Sequence, residues 1–176
     1  FSLNMATTRG CPYHCNWCAK PLWGQRYHVR SPEHVVGELE LLVERYGADH
    51  IWFMDDIMGL KPSWFPRFAE LIERAGIRIR FKCLTRPDLL LRDGRIDAMR
   101  RAGCEVVWIG AESGSQKILD AMEKGTTVGQ IAEAAQRLHA AGIKVGFFLQ
   151  FGYPGETRDD VERTLQMVRD CRPDDV

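Results

Sequence analysis

The 176-residue sequence has no surplus of charge of either sign, because its 24 Lys and Arg residues balance its 24 Asp and Glu residues. No run of Lys and Arg is longer than two residues, so the broad basic field of a nucleic-acid-binding protein is missing. An apolar stretch of the roughly 20 residues that a membrane span requires is missing as well. With 45% hydrophobic residues, the composition favours one globular domain that does not bind a membrane. A nucleic-acid partner is not excluded, but nothing in the composition supports one.

A charged-then-apolar leader is also absent, and we expect a cytosolic, cytoplasmic protein. The chain begins at Phe1 rather than Met and enters an apolar segment at once. We therefore expect that it is a piece of a longer polypeptide.

Three of the six cysteines, Cys11, Cys15 and Cys18, fall in the stretch GCPYHCNWC. In a cytosolic protein such a cluster favours metal or redox chemistry over structural disulfides. A structural zinc site would need a fourth ligand, for which His14 and His28 are candidates. A thioredoxin-like pair of Cys15 and Cys18 would leave Cys11 unexplained. Thiolates are also the ligands of iron–sulfur clusters, and three of them leave one iron of a cubane open.

The other three cysteines are predicted to be small buried hydrophobic residues. Cys104 opens a predicted strand and Cys171 closes the last predicted helix, so both lie at the edge opposite the cysteine loop. Cys83, late in the preceding strand, is the one residue among them whose position would allow it to be a fourth ligand.

Four similar junctions divide the chain, each a charged helical tail, a glycine and an apolar run. Glycine enters the left-handed conformation cheaply, which predicts helix-ending caps at Gly47, Gly76, Gly103 and Gly142. The apolar runs, together with the opening FSLNMATT, predict five buried strands. Ser31 followed by Pro32 predicts the start of the first helix. The apolar positions at helical spacing are Val35, Val36, Leu39, Leu42, Val43, Tyr46, Phe65, Phe68, Ile72, Ala75, Ile131, Ala135, Leu138, Val161, Leu165 and Val168.

The units recur about every 30 residues, which is the scale of a βαβ element with parallel strands. The last helix ends at CRPDDV, where a sixth strand would begin. A doubly wound α/β sheet and a partial (β/α) barrel both fit this pattern.

Polar or reactive residues follow every predicted strand. They are the cysteine loop, Asp55 and Asp56, Thr85 and Arg86, Glu112 and Ser113, and the turn at 152–156. Ligands bind at the carboxyl edge of the strands in both parallel architectures, so we expect the five clusters to converge on one site.

The Cys-x3-Cys-x2-Cys loop with Trp17 before its last cysteine resembles the radical S-adenosylmethionine (SAM) superfamily. The resemblance extends over the whole chain. The stretches WFMDDIM, LTRPDLL, AGCEVVWIGAESGSQKILDAMEKGTT and GFFLQFGYPGET are most similar to the subgroup whose longer chains carry an N-terminal cobalamin-binding domain. The resemblance implies a partial six-stranded TIM-like (β/α) barrel, of which residues 1–176 would hold five parallel strands, with a cobalamin domain before them and a C-terminal region after them.

The same resemblance implies the cofactors and their contacts. Cys11, Cys15 and Cys18 would ligate a 4Fe-4S cluster whose open iron binds SAM. Trp17 would lie against the adenine, or alternatively form a lid over the cluster, and Gln150 to Gly152 would pass under the adenine.

Other contacts with SAM are implied after the second and fourth strands. The family often has Gly-Gly-Glu where this sequence has Met-Asp-Asp, so Asp55 or Asp56 would receive the methionine amino group. Glu112 and Ser113 match the ribose-contact position. Lys124 would bind the SAM carboxylate, or would be a solvated lysine before a glycine cap.

The implied function is reductive cleavage of SAM to a 5′-deoxyadenosyl radical, for cobalamin-dependent methylation or rearrangement of an unactivated carbon. A methylthiotransferase and an anaerobic oxidative cyclase are alternatives, and an iron–sulfur electron carrier or a zinc-binding module are alternatives of another class. The expected partners are a small-molecule or natural-product substrate and a reductant such as flavodoxin or ferredoxin. Arg86 would pair with an acid or reach the substrate, and His14, Asp55 and Asp56 would serve only incidental proton transfer.

Overall fold

The computed structural model describes residues 1–19 and 26–176. The strands in this part of the chain are β1 (Ser2–Met5), β2 (Thr8–Arg9), β3 (His28–Val29), β4 (His50–Phe53), β5 (Arg80–Thr85), β6 (Cys104–Glu112) and β7 (Lys144–Leu149). The helices are α1 (Pro32–Tyr46), α2 (Trp64–Ala75), α3 (Pro87–Leu90), α4 (Arg95–Arg101), α5 (Gln116–Ala121), α6 (Val128–Ala140) and α7 (Arg158–Cys171). None of these helices has the length and apolarity needed to cross a membrane.

The main sheet contains five strands, all paired in parallel, in the order β1-β4-β5-β6-β7. A doubly wound sheet reverses its strand order at a switch point, whereas this order follows the chain without reversal. Successive right-handed crossovers then place the helices on one side, as in a (β/α) barrel. The prediction of a partial barrel with five parallel strands is therefore confirmed.

One hydrophobic core lies between the sheet and its helices. Alternate strand residues such as Phe53, Phe81, Ile109 and Phe147 belong to it and are almost completely buried. Because side chains alternate across a strand, the residues between them line the opposite, concave face. That face lies below the candidate site.

The predicted helix ends are confirmed by the backbone. Gly47 and Gly76 are left-handed caps with φ of 64° and 65°. Gly103 and Gly142 also have positive φ, but each follows the capping residue by one position. The Ser31 side chain accepts a hydrogen bond at the start of α1, as expected.

The predicted apolar face of the last helix is wrong at Leu165, which is 43% exposed. In α7 the buried residues are Asp160, Thr164 and Met167. Asp160 and Thr164 form hydrogen bonds with Ser115 and other groups beside α5, so a polar contact sets this orientation of the helix. The predicted helix-face positions Tyr46 and Ala75 are also exposed, Tyr46 at 55%.

Strand β2 pairs with β3 in an antiparallel two-stranded sheet that the sequence pattern did not predict. At the other end of the chain, Asp175 forms an isolated parallel bridge with Gly146 of β7. Cys83 and Cys104 are buried as predicted, whereas Cys171 is half-buried.

Candidate active site: a three-thiol loop at the carboxyl edge

The cysteine loop forms one wall of a cavity of about 360 Å³ at the carboxyl edge of the sheet. The cavity brings together residues that follow four strands of the main sheet. Its lining is Cys11, Tyr13, Cys15, Trp17, Cys18, Ala19, Asp56, Ile57, Leu84, Thr85, Arg86, Trp108, Gly110, Glu112, Lys124 and Phe148.

The three thiols of this wall fit the donor set of an iron–sulfur cluster. All six cysteines of the chain are free thiols. Within residues 1–19 and 26–176, no three His, Cys, Asp or Glu side chains are close enough together to hold a single metal ion. The thiolates of a zinc site all lie about 2.3 Å from one ion. In a cubane each thiolate binds a different iron, so the cysteine sulfurs lie further from one another than they do around zinc.

Asn16 fastens the loop to the end of α5. Its backbone N–H donates to the Met122 carbonyl at 3.2 Å, and its side-chain amide donates to the Ala121 carbonyl at 2.8 Å. The Tyr153 hydroxyl lies 2.7 Å from Asn16 Oδ1 and 2.8 Å from the Ala121 oxygen, so it can donate to either. The segment between Cys15 and Cys18 is thus held by two distant parts of the chain.

Arg86 supports the other half of the loop. Its guanidinium carbon lies 3.8 Å from the centre of the Tyr13 ring, a cation–π contact. The same group donates to Asp88 at 2.8 Å and to the Lys124 carbonyl at 2.8 Å. Arg86 therefore pairs with an acid, as one of its two predicted roles required, and also contacts the loop.

Lys124 and Glu112 form a buried ion pair with 2.8 Å between Nζ and Oε1. The alternative of a solvated Lys124 is wrong, because only 7% of this residue is exposed. Glu112 has a φ of 60°. This backbone conformation raises the free energy of a non-glycine residue by about 1–3 kcal/mol, so it is kept only where surrounding contacts fix it. The Gln150 N–H donates to the Glu112 carbonyl at 2.9 Å and supplies part of that support.

Gly110 leaves the space that this ion pair occupies. A Cβ at this position would lie 2.5 Å from Glu112 Oε1 and 2.6 Å from Lys124 Nζ. Trp17 lies on the same side of the cavity, where Lys124 Nζ is 5.6 Å from its ring centre. The Trp17 indole N–H is buried and has no partner within the described residues.

The two predicted aspartates have different surroundings. The Asp55 carboxylate accepts from the Thr7 N–H, the Thr7 hydroxyl and the Thr8 N–H at 2.5–2.8 Å. Burial raises the pKa of Asp55, and the hydrogen bonds from Thr7 and Thr8 oppose this. Asp55 thus fixes the turn that leads into the cysteine loop and does not line the cavity, whereas Asp56 does, with one oxygen 3.1 Å from the Gly10 N–H.

Three other predicted contact residues also lie outside the cavity lining. The Ser113 hydroxyl is buried and hydrogen-bonds with Thr164 at 3.1 Å. The Gly152 N–H donates to Glu156 at 2.6 Å, and the buried Gln150 Oε1 has no partner within the described part of the chain.

Sequence reasoning missed Tyr13, Asn16, Trp108 and Phe148 as parts of the site. Tyr13 and Asn16 lie between the cysteines in sequence, and this position was the one sign that they belong to the site. The residues that they contact are far away in sequence. In the sequence, Trp108 and Phe148 are indistinguishable from other apolar residues of the predicted strands. Their rings stack at 4.8 Å on the cavity side of the sheet.

Comparisons with known proteins show which family and which fold the chain matches. A family model described as the radical SAM superfamily matches residues 5–168. The chain is 33% identical over 165 residues to an uncharacterised methyltransferase of Pyrococcus horikoshii, covering 93% of this chain and 36% of that protein. It is 31% identical over 167 residues to an anaerobic magnesium-protoporphyrin IX monomethyl ester cyclase of Rubrivivax gelatinosus, covering 94% and 30%. The chain thus spans about a third of the length of these relatives.

A solved structure shows the same fold. The radical SAM methyltransferase TsrM from Kitasatospora setae, with cobalamin and a [4Fe-4S] cluster bound, superposes with a TM-score of 0.86 at 23% identity. The match covers 97% of this chain and 34% of that one.

Proposed function

Because this chain belongs to the radical SAM superfamily, we propose that it is the catalytic core of an enzyme that cleaves S-adenosylmethionine. The observation that carries the proposal is the convergence of Cys11, Cys15 and Cys18 on one cavity, beside the buried pair of Glu112 and Lys124. When bound by these thiols, a 4Fe-4S cluster supplies the electron that splits SAM into methionine and a 5′-deoxyadenosyl radical, which abstracts hydrogen from the substrate.

In this proposal the loop anchors keep the three thiols in a fixed arrangement. Asn16 and Arg86 hold opposite halves of the loop against the residues that follow α5. Burial raises the pKa of Cys11, and a cation such as iron beside the sulfur would oppose this effect by favouring the thiolate.

The methionine part of SAM carries one carboxylate and one ammonium group, and the cavity offers charges of both signs. Lys124 would bind the carboxylate through the ammonium hydrogens that its pairing with Glu112 leaves available, since an ammonium group has three donors. Asp56 would accept a hydrogen bond from the ammonium group, and Glu112 would accept from the ribose hydroxyls. Ser113 would then affect ribose binding only by holding the backbone next to Glu112. Asp55 would affect the site only by holding the turn before the cysteine loop.

The adenine would lie between Trp17 and the segment from Gln150 to Gly152. A flat apolar base suits an aromatic ring. The buried indole N–H and amide oxygen, which have no partner among residues 1–19 and 26–176, offer one donor and one acceptor. No general base is required of the chain, because hydrogen abstraction by a carbon radical moves no proton to a side chain. His14 is exposed and has no role in this scheme.

We propose cobalamin-dependent methylation or rearrangement of an unactivated carbon as the reaction of the whole protein. The similarity to a methyltransferase and the shared fold with a cobalamin-bound methyltransferase support this choice. The proposal includes an N-terminal cobalamin domain and a C-terminal region beyond residues 1–176, a small-molecule or natural-product substrate, and flavodoxin or ferredoxin as reductant. A cytoplasmic setting is part of it, because thiols stay reduced there.

Oxidative cyclisation is a second candidate, favoured by the similarity to the ester cyclase. Methylthio transfer would require a second cluster whose thiolates come from outside residues 1–176, because Cys83 and Cys104 lie in the hydrophobic core.

Anaerobic reconstitution of the full-length protein with iron and sulfide tests the core activity. With SAM and dithionite we expect 5′-deoxyadenosine, which Cys15→Ser should abolish and the matched control Cys171→Ser should not. Colourless protein with tightly held zinc would replace the proposal with a zinc-binding module. A cluster with four protein thiolates would replace it with an electron carrier.

A further inference from the structure

The concave face of the sheet continues below the cysteine cavity as a series of cross-strand neighbours. Leu84 pairs in register with Trp108, and both line the cavity. Two residues nearer the strand starts, Lys82 is in register with Trp52 on one side and Val106 on the other. One strand residue spans about 3.3 Å, so the Lys82 level lies about 7 Å below the cavity floor.

Trp108 and Phe148 form an aromatic stack on this floor, here called the platform, and Phe148 is its exposed member. A Cβ on Gly146 would lie 2.4 Å from the Trp108 ring, so the indole occupies the space that glycine leaves. The ring stacks on Phe148 at 4.8 Å with 30° between the planes. Phe148 is 42% exposed and lies on β7, an edge strand of the sheet, so the platform lies outside the hydrophobic core.

Lys82 places a positive charge below this platform. Its Nζ lies 3.9 Å from the Trp52 ring centre, and within the described residues no carboxylate comes within ion-pair distance of it. The nearby Glu105 is shared by His50 and Arg80, at 3.9 Å and 3.8 Å. The Trp52 indole N–H is buried and has no partner among the described residues. A cation and an unpaired donor side by side are suited to a carboxylate.

We propose that the substrate is a planar apolar ring system that carries a carboxylate. The ring lies on Trp108 and Phe148, below the position where the radical forms, and the carboxylate reaches Lys82. This inference rests on the proposed function, because only SAM cleavage makes the cavity above the platform a reaction site. Neutral ring compounds and flexible fatty acids are the alternative substrates. The first would use only the aromatic platform, and the second would use only the Lys82 charge.

Calorimetric titration of the full-length protein with three small probes tests the proposal. The probes are 3-(2-naphthyl)propionate, its neutral amide, and 3-cyclohexylpropionate. The naphthyl acid should bind about tenfold more tightly than either of the others, which is the discrimination expected for one charged hydrogen bond or one ring stack.

Variants assign each half of that preference. Lys82→Met keeps the side-chain length and should abolish the preference for acid over amide, while Lys82→Arg should retain it. Gly146→Ala should displace the Trp108 ring and abolish the preference for naphthyl over cyclohexyl, and Trp108→Leu should do the same if the alanine variant folds poorly. The exposed cation Arg158, 90% accessible, provides the control Arg158→Met, which should bind as wild type.

Equal binding of acid and amide by wild type, retention of the preference in Lys82→Met, or no saturable binding at millimolar probe would overturn the proposal. These outcomes are separate from the proposed function, which is tested by 5′-deoxyadenosine formation without any probe. If 5′-deoxyadenosine does not form but the probe selectivity is intact, SAM cleavage is rejected, and the concave face is still a binding site for aromatic acids.

Discussion

The Lys124 ammonium lies 2.8 Å from the Glu112 carboxylate, and the two side chains are only 8% and 6% exposed. They belong to different elements, one following α5 and the other ending β6. Each is therefore the charged partner of the other at a place that is largely shielded from water.

Removing one member of this pair should be costly. Lys124→Met leaves the Glu112 carboxylate buried without its cation, and we expect a loss of about 3–5 kcal/mol in the free energy of unfolding. The double variant with Glu112→Gln should recover most of that loss, because no buried charge is left unpaired. Urea unfolding of the single and double variants measures this, and a Lys124→Met protein within about 1 kcal/mol of wild type would contradict a buried pair.

The Tyr153 hydroxyl should hold the cysteine loop in place. Tyr153→Phe removes the donor that lies 2.7 Å from Asn16, and we expect about 1 kcal/mol of lost stability. Cluster loss under a chelator should be faster in this variant, with the number of irons at full loading unchanged. Tyr46→Phe, at an exposed position on α1, is the matched control. Equal rates of iron loss in the two variants would show that the hydroxyl does not anchor the loop.

Arg86→Lys should impair the site although the charge is kept. A lysine cannot both cover the Tyr13 ring and donate to Asp88 and the Lys124 carbonyl. We expect weaker SAM binding and slower 5′-deoxyadenosine formation. Arg74→Lys on the outer surface of α2 is the control, and equal kinetics in both variants would contradict a positioning role for Arg86.

Asp160 should make the stability of the fold depend on pH. Hydrogen bonds from Lys117, Ser115 and Thr157 hold the pKa of its carboxyl well below the usual value. The folded pKa is below the unfolded value of about 4, so the stabilisation is complete above that pH and is lost as pH falls. The difference in unfolding free energy between wild type and Asp160→Asn should therefore shrink between about pH 5 and pH 2.

Asp159→Asn controls for the loss of one negative charge on the same turn. A wild-type advantage over Asp160→Asn that stays constant down to pH 2 would contradict the hydrogen-bonded carboxylate.

The strands and the helix ends could be predicted because each depends on local patterns. Gly47 and Gly76 end helices for a backbone reason that the residue itself reveals. The cysteine loop could be identified for the same reason, since its ligands lie within one short segment.

The anchors of the loop could not be predicted, because they join distant residues. Asn16 and Tyr153 are 137 positions apart, and no local pattern indicates that they meet. The sequence implied separate roles for Glu112 and Lys124 and did not indicate that they form an ion pair. Their contact depends on a left-handed backbone at Glu112, which glutamate rarely adopts. The orientation of α7 was misjudged because a polar network outweighs its apolar stripe.

The central claim is that Cys11, Cys15 and Cys18 are the complete set of protein ligands and leave one iron open for SAM. Mössbauer spectroscopy of full-length protein reconstituted with isotopically enriched iron tests it most directly. The account predicts that SAM changes the signal of one iron in four and leaves the other three unchanged, and that Cys83→Ala behaves as wild type. Four irons insensitive to SAM, or loss of the cluster in Cys83→Ala, would contradict it.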